Sequence, residues 1–301
     1  MAKPKHLLSC CAGLDNEIRR AASFAEVFRA CEAIGSHKGF VMTSSFGKFF
    51  TCWVLVFTAT SSESFGQAWA DLTMTVKWDG DIPAPRAVNI AGVNLEKEDL
   101  VVDPTTHGIA NLIFMVDTRR TPLEHNQIHP ALRAPSTEKP VLECSNLSYS
   151  PHVMLVRSGQ TLIVKNSDRV RSNFNFRWFE NPPTNLTLDA GRQKEIQIQE
   201  KERTPTKIEN DIHPWMSAYL IVADHPYVGI SSAEGVIKID KLPAGVELRF
   251  QLWHEHQIKL IEKISLNDRP VTWSKGSVRL TLKEGNNDLG TMLIKPARFR
   301  N

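Results

Sequence analysis

The sequence predicts an all-β protein, a Greek-key sandwich with an additional β-sandwich portion. Short segments in which apolar and polar residues alternate recur from Asp71 to the end of the chain. Glycine, proline and asparagine separate these segments, as turn residues separate strands. No long segment after residue 70 has the apolar period of an amphipathic helix. Many short strands with turns between them are typical of a β-sandwich.

The region 71–140 begins with the clearest alternation, which runs from Leu72 to Val76 and predicts a half-buried strand. The run Ala110–Val116 is apolar apart from Asn111, so we predict a strand covered on both faces. The segment Thr118–Pro140 contains four prolines and has no sustained period. We interpret it as a connecting loop.

The region 141–224 holds the segments that predict the Greek-key sandwich. Apolar residues alternate with polar ones in the segments Val153–Leu155, Leu162–Val164 and Ile196–Ile198. The run Ala218–Val222 predicts a buried strand that completes the set.

The region 225–301 predicts further strands of the same kind. It contains predicted strands at Val236–Ile239, Leu248–Leu252 and Val278–Leu282, a turn at Leu242–Gly245 and a loop at Gly285–Asn287.

The first 70 residues have the features of a secretory signal peptide. Phe49–Thr60 is an apolar run of twelve residues that follows Lys48. Ala68 and Ala70 flank one residue, as the small residues of a cleavage site do. The run is too short to span a membrane, which takes about twenty apolar residues. We therefore expect cleavage after Ala70 and export to the periplasm or cell surface.

A start of synthesis at Met42 would give this signal peptide ordinary proportions. Residues 42–70 would then be the signal peptide and residues 1–41 a mis-annotated extension; the alternative is an amphipathic helix within residues 1–41. Cleavage would leave 29 basic and 28 acidic residues, a balance that indicates no nucleic-acid partner. It would also leave Cys144 as the single cysteine, so no intramolecular disulfide is expected.

The turn-like segment Asn210–Met216 carries the chemistry that stands out. His213 and Met216 lie three residues apart, with Pro214 between them. An imidazole nitrogen and a thioether sulfur facing one small volume make a copper-like ligand pair.

The segment resembles the Cys-x-x-His-x-x-Met ligand loop of cupredoxins, the plastocyanin-like blue-copper proteins, and in particular their methylamine-utilisation-like group. Gly159–Asp168 is similar to the strand and loop that lead to the first copper histidine of this family. The resemblance covers roughly residues 71–298. It implies a copper centre of two histidines, a thiolate and an axial methionine. Asn210 stands where the thiolate is expected and Ser172 where the first histidine is expected.

A second resemblance concerns both ends of the chain after residue 70. Gly235, Leu242–Gly245 and Trp253 resemble half of a transthyretin-like or carboxypeptidase-regulatory-like sandwich, and Trp78–Gly80 resembles the other half. This resemblance implies that the cupredoxin-like domain, residues 141–224, is inserted between the segments 71–140 and 225–301.

Two further residues bear on a metal site. If the strand after His152 lies beside the His213 turn, then Cys144, His152, His213 and Met216 form a site for Cu(I). Alternatively, Cys144 is a small buried residue and His152 a histidine at a strand edge. The turn has an alternative without a metal as well, in which His213 donates to a backbone carbonyl and Met216 fills the core.

His254 and His256 are a separate histidine pair. They would share one face if their segment is a strand, and such a pair holds zinc or copper in some proteins and is unoccupied in others.

The sequence thus predicts an exported, non-catalytic binding or structural module. No nucleophile-elbow, zinc-protease, phosphate-loop or dinucleotide motif occurs in the chain. We expect no resident cofactor, with copper as the possible exception. The expected partner is an unknown protein or cell-surface component, with no nucleic acid and no membrane span in the mature chain. The alternative function is copper storage, copper delivery or electron transfer through His213 and Met216 together with Cys144 and His152.

Overall fold

The computed structural model describes residues 67–84, 86–90, 92–96, 99–120, 122–256, 263–267, 269–273 and 276–298. Within these ranges the chain forms β-strands and three short 3-10 helices, with no α-helix. The predicted all-β class is therefore confirmed. The predicted extension 1–41 and nearly all of the predicted signal peptide lie outside the described residues. No helix in the described part of the chain has the length and apolar character needed to cross a membrane.

The described chain contains twenty strands and three 3-10 helices. In chain order the strands are β1 (Trp69–Trp78), β2 (Ala87–Ile90), β3 (Val93–Glu96), β4 (Ile113–Val116), β5 (Val141–Ser145), β6 (Ser148–Ser150), β7 (Val153–Arg157), β8 (Thr161–Asn166), β9 (Ser172–Phe176), β10 (Thr184–Leu188), β11 (Gln193–Gln197), β12 (Thr206–Glu209), β13 (Ser217–Ala223), β14 (Val228–Ile230), β15 (Val236–Pro243), β16 (Glu247–Trp253), β17 (Lys263–Leu266), β18 (Arg269–Thr272), β19 (Ser277–Thr281) and β20 (Gly285–Ile294). The 3-10 helices are His125–Gln127, Pro130–Leu132 and Pro296–Arg298.

Strands from the two ends of the described chain form one sandwich, which we call the terminal sandwich. One of its sheets has the strand order β15-β1-β20-β17-β18 and the other the order β14-β4-β16-β19. The alternation of β1 puts every second residue from Ala70 to Trp78 into the core, as the period of a strand with one buried face requires. These side chains pack with Phe114 and Phe250 of the facing sheet in a single apolar cluster.

Strands β5 to β13 form a second sandwich, which we call the central sandwich. Its sheets have the orders β11-β8-β5-β6 and β10-β9-β12-β13-β7. β5 pairs with β8, and β7 with β13, in parallel, so the chain crosses between sheets as a Greek key does. Leu142 and Leu162 of one sheet and Phe174 and Leu220 of the other share its core.

The two sandwiches contact each other through one face of each. Ile113 of β4 packs against Val153 of β7 and Ile221 of β13. The next residue, Phe114, points into the core of the terminal sandwich. β4 is therefore covered on both faces, as its continuous apolar sequence predicts.

Three local predictions differ from the structure. Gly285–Asn287, predicted as a loop, is the start of β20 and pairs in parallel with Ala70–Leu72. This pairing partner is distant in sequence, so the loop prediction, which rested on local turn residues, was wrong. β15 continues to Pro243, into the predicted turn. β4 covers only the second half of the run Ala110–Val116.

The start of β1 also bears on the predicted cleavage site. Trp69 pairs with Pro243 and Ala70 with Leu242. Cleavage after Ala70 would therefore remove the first two residues of this strand.

One glycine is required where β1 approaches the turn before β15. Gly235 has a φ of 81°, which side-chain-bearing residues rarely adopt. Its carbonyl accepts a hydrogen bond from the Val76 N–H at 2.8 Å. A Cβ at this position would lie 2.1 Å from the Val76 carbonyl oxygen. Only glycine fits here without moving the backbone.

Candidate functional site

The turn after β12 is organised by the side chain of Asn210. Its Oδ1 accepts hydrogen bonds from the backbone N–H groups of Ile212 at 3.0 Å and His213 at 2.8 Å. The turn closes with a bond of 2.9 Å from the Met216 N–H to the His213 carbonyl. An asparagine that bonds to the backbone two and three residues ahead is a common way of fixing a turn.

The amide of Asn210 also begins a chain of buried side-chain contacts, which we call the Asn210 network. Nδ2 of Asn210 donates to Oγ of Ser172 at 2.9 Å and lies 3.4 Å from Sδ of Met216. Oγ of Ser172 donates to Sγ of Cys144 at 3.1 Å, and this thiol donates to Oδ2 of Asp168 at 3.1 Å. Buried polar groups are stable when each has such a partner.

The thiol of Cys144 is held in its protonated form. Its pKa is raised to about 12, mainly by burial and also by the neighbouring Asp168 carboxylate, while the hydrogen bond from Ser172 acts in the opposite direction. The side chain is fully buried in the central sandwich. A thiolate is the form that binds a metal, so this environment disfavours coordination through Cys144.

His213 lies at the half-exposed edge of the turn. Its Nε2 is 3.2 Å from the backbone carbonyl oxygen of Arg171, which places this nitrogen as a donor. Its ring lies 5.1 Å from that of Trp215. Met216, by contrast, is buried in the core of the central sandwich.

The four residues of the predicted Cu(I) site lie in different surroundings in the structure. Cys144 and Met216 belong to the Asn210 network, whereas Nε2 of His213 faces the Arg171 carbonyl. His152 is paired with Glu255, its Nε2 lying 2.5 Å from Oε1. The segment 67–298, as far as it is described, contains no group of three or more histidine, cysteine, aspartate or glutamate side chains arranged to hold a metal.

A blue-copper centre does not fit these residues. The amide of Asn210 uses its nitrogen as a donor and its oxygen as an acceptor of two backbone bonds. The hydroxyl of Ser172 is buried and donates to a protonated thiol. A blue-copper centre requires a thiolate and two imidazoles with free lone pairs, and neither Asn210 nor Ser172 offers such a ligand.

A group of histidines lies where β16 ends near the central sandwich. The segment His254–His256 forms a turn in which Nδ1 of His254 accepts from the His256 N–H at 3.3 Å. The two rings stack with 5.8 Å between centroids. This proximity comes from a turn and not from the alternation of a strand. Burial, with His256 and His152 as further causes, lowers the pKa of His254 to about 3.

Beside the Asn210 turn is a pocket of about 520 Å³, which we call the junction pocket. Both sandwiches contribute to it, since Glu255 follows β16 of the terminal sandwich, Asp99 lies between β3 and β4, and the other residues belong to the central sandwich. Its lining consists of Asp99, Leu147, Ser148, His152, Lys207, Glu209, Asn210, Asp211, Pro214, Trp215, Met216, Ser217 and Glu255.

Two carboxylates on the central side of the junction pocket are fixed by their neighbours. Glu209 contacts Nζ of Lys207 at 2.9 Å and the guanidinium of Arg177 at 2.7 Å. The hydrogen bond from Lys207 is the main cause that lowers the pKa of Glu209. Asp211 accepts from the amides of Asn175 and Asn185, which lower its pKa.

Two more carboxylates lie on the terminal side. Glu255 is paired with His152, and Oδ2 of Asp99 contacts Arg86 at 2.8 Å and His256 at 3.4 Å. The other oxygen of Asp99, Oδ1, is buried and accepts no hydrogen bond from any described residue. An unsatisfied buried acceptor of this kind requires an explanation.

Reasoning from the sequence singled out the turn but not the pocket beside it. Asp99, Glu209 and Glu255 carry no local motif, and their common feature is their position at the junction of the two sandwiches. Trp215 belongs to the turn motif, but nothing in the sequence indicates that it lines a pocket.

Comparison with known proteins gives likenesses of fold only. No family model matches the chain, and no curated protein matches it. A purple cupredoxin from Nitrosopumilus maritimus is 18% identical over 28% of this chain and 99% of its own, with a TM-score of 0.24. A reduced tryptophan-to-tyrosine mutant of amicyanin is 15% identical over 29% of this chain and 85% of its own, with a TM-score of 0.26.

A copper-containing nitrite reductase from Thermus scotoductus is 18% identical over 34% of this chain, with a TM-score of 0.26. The match spans 27% of that enzyme. These structural neighbours are copper proteins by their names. Because the TM-scores are low, the assignment of a β-sandwich rests on the strand topology of this chain.

Proposed function

We propose that this protein is an exported, non-catalytic binding module whose central sandwich is a divergent cupredoxin without a blue-copper centre. The observation that carries the proposal is the Asn210 network. Asn210 and Ser172 stand at two of the four positions where the family resemblance places copper ligands, and both are bonded to each other inside the protein.

The network supports this proposal because it supplies by hydrogen bonding what a metal supplies by coordination. Asn210 fixes the turn through two backbone bonds and joins it to Ser172. Each such bond contributes about 1 kcal/mol, and breaking one while leaving its partner buried costs about 1–3 kcal/mol. The turn therefore keeps its shape without an ion.

A copper titration with a gain-of-function variant tests the proposal. We expect the wild-type chain to develop no intense visible band with Cu(II). The double variant Ser172→His, Asn210→Cys restores an imidazole and a thiolate beside His213 and Met216 and should turn blue. The single variant Ser172→His, which lacks the thiolate, is the matched control and should stay colourless. A wild-type protein that binds one Cu(II) with an intense visible band would overturn the proposal.

Copper handling is the second candidate, and one observation favours it. The sulfur atoms of Cys144 and Met216 belong to the same buried network. Soft sulfur ligands select Cu(I). Competition with a Cu(I) chelator should show no binding if the protein is a copper-free module. Stoichiometric binding that disappears in the variant Cys144→Ser, His213→Ala would support storage or delivery in its place.

Export is the remaining part of the proposal. It is supported by the apolar run Phe49–Thr60 and the small residues Ala68 and Ala70. The mature protein from a secreting host should begin at Asp71. Retention of residues 49–60 in the purified protein would argue against export by this signal.

A further inference from the structure

The junction pocket is large enough for a small ligand. Its volume of about 520 Å³ lies within the range of about 300–1,000 Å³ that is usual for small-molecule sites. It lies between the ends of strands from two packed sandwiches, a position in which ligand sites often occur. From its lining we infer that the junction pocket binds a neutral saccharide of one or two sugar rings. This inference names a ligand class for the proposed binding function and rests on it.

Trp215 is an aromatic residue of the pocket lining. Its Nε1 donates to the Leu147 carbonyl at 3.3 Å, and its ring lies against His213. The indole is thus held by its polar edge and by a neighbouring ring. The face of an indole is electron-rich, and the weakly positive C–H groups on one side of a pyranose ring pack favourably on such a face.

The polar lining supplies acceptors and donors for hydroxyl groups. Carboxylate oxygens of Glu209 and Asp211 are held in place by ion pairs or by amide donors, and each carboxylate has lone pairs beyond those in use. The Lys207 ammonium contacts Glu209 and carries three N–H donors, so it supplies donors on the same surface. Neighbouring hydroxyls of a sugar donate to such carboxylates and accept from an ammonium at the same time.

The charge of the pocket favours a neutral ligand over an ion. Each of the four lining carboxylates is bonded to a cationic side chain, a histidine or amide groups. A cationic ligand would compete with these partners, and an anionic ligand would meet four carboxylates. A polyol adds hydrogen bonds without displacing any partner.

Titration of the full chain with named sugars tests this inference. The probes are glucose, galactose, mannose, maltose and cellobiose, followed by calorimetry or by saturation-transfer NMR. Tetramethylammonium and gluconate serve as a cationic and an anionic probe. We expect binding of at least one of the five sugars and weaker binding of both ions.

Two variants connect the binding to the pocket. Glu209→Gln removes a charged acceptor, and Trp215→Ala removes the aromatic face; each should weaken sugar binding by about tenfold or more. Trp178→Ala is the matched control, because Trp178 is also half-buried against the core of the central sandwich and does not line the pocket. It should leave the affinity unchanged. If Trp215→Ala does not fold, Trp215→Phe, which keeps a smaller ring, should give a smaller loss.

The outcomes separate this inference from the proposed function. Absence of binding for all five sugars, tighter binding of either ion, or binding that Glu209→Gln leaves intact overturns the saccharide inference. None of these results changes the copper titration, which tests the proposed function by colour. A wild-type chain that turns blue with Cu(II) and also binds sugar would overturn the proposed function and leave the saccharide site standing.

Discussion

Acidification from about pH 7.5 to about pH 5 should lower the free energy of unfolding by about 4 kcal/mol, because two buried histidines stay neutral in the folded protein. His254 is 2% exposed and His225 is 4% exposed. Burial lowers the pKa of His254 from 6.5 to about 3 and that of His225 from 6.5 to about 4. Asp224 partly offsets the effect at His225, whereas Arg157 and Lys201 add to it.

The sign of the effect follows from which state binds the proton. Below pH 6.5 these histidines are protonated in the unfolded chain but remain neutral in the folded one. Stability is therefore complete above the unfolded pKa and falls as the pH decreases towards the folded pKa. Each histidine contributes about 1.4 kcal/mol per pH unit, so the interval from 6.5 to about 5 gives about 2 kcal/mol for each. Carboxylates with lowered pKa values, such as Asp117, act below this interval.

Urea unfolding at the two pH values, followed by tryptophan fluorescence, measures the difference. Nδ1 of His225 accepts from the Tyr227 N–H at 3.2 Å, and Nδ1 of His254 accepts from the His256 N–H. The variants His225→Asn and His254→Asn keep an acceptor for these bonds and do not titrate. Each should reduce the pH difference by about 2 kcal/mol, and the double variant should nearly abolish it.

A substitution at an exposed histidine is the control. His125 is exposed in its 3-10 helix, and His125→Asn should retain the full difference. The reasoning would be refuted by equal stability of the wild type at both pH values. It would also be refuted by a double variant that keeps the wild-type difference.

Three further predictions concern packing, backbone and reactivity. Phe114 and Phe250 stack at 4.8 Å between ring centroids in the core of the terminal sandwich. Phe114→Ala should therefore lower the free energy of unfolding by about 3–5 kcal/mol in a urea titration. A loss below about 1 kcal/mol would contradict the packing. Gly235→Ala should destabilise the protein more than Gly159→Ala. Both glycines have a positive φ, but of the two only position 235 would bring a Cβ onto backbone atoms. Equal thermal midpoints of the two variants would argue against the close approach. Cys144 should resist iodoacetamide in the native protein and react once urea is added, since its thiol is buried with a pKa of about 12; rapid native labelling, followed by mass spectrometry, would disprove this burial.

Much of the strand content could be predicted from the sequence, because a strand with one buried face has a period of two residues. The alternation at Leu72–Val76 gives β1, and that at Leu248–Leu252 gives β16. The apolar run that contains β4 was correctly interpreted as a strand covered on both faces. The prediction for Gly285–Asn287 was wrong because a turn-like composition carries no information about a distant pairing partner.

The candidate site divides in the same way. His213 and Met216 are close in sequence, so the turn that joins them could be recognised from local residues, as could the absence of a thiolate at Asn210. The Asn210 network could not be predicted, because Asn210 donates to Ser172 and Ser172 donates to Cys144. Ser172 and Cys144 come from strands of opposing sheets that only the Greek-key crossing brings together.

The sequence by itself determined the all-β class, the Asn210–Met216 turn and the residues that occupy two expected ligand positions, since each depends on neighbours within a few residues. Tertiary structure alone decided that Cys144 is a buried, protonated thiol in the Asn210 network and that Asp99, Glu255 and Trp215 line one pocket. These features depend on how four sheets stack. Stacking is set by the sum of many weak apolar contacts between distant residues, which no local pattern records.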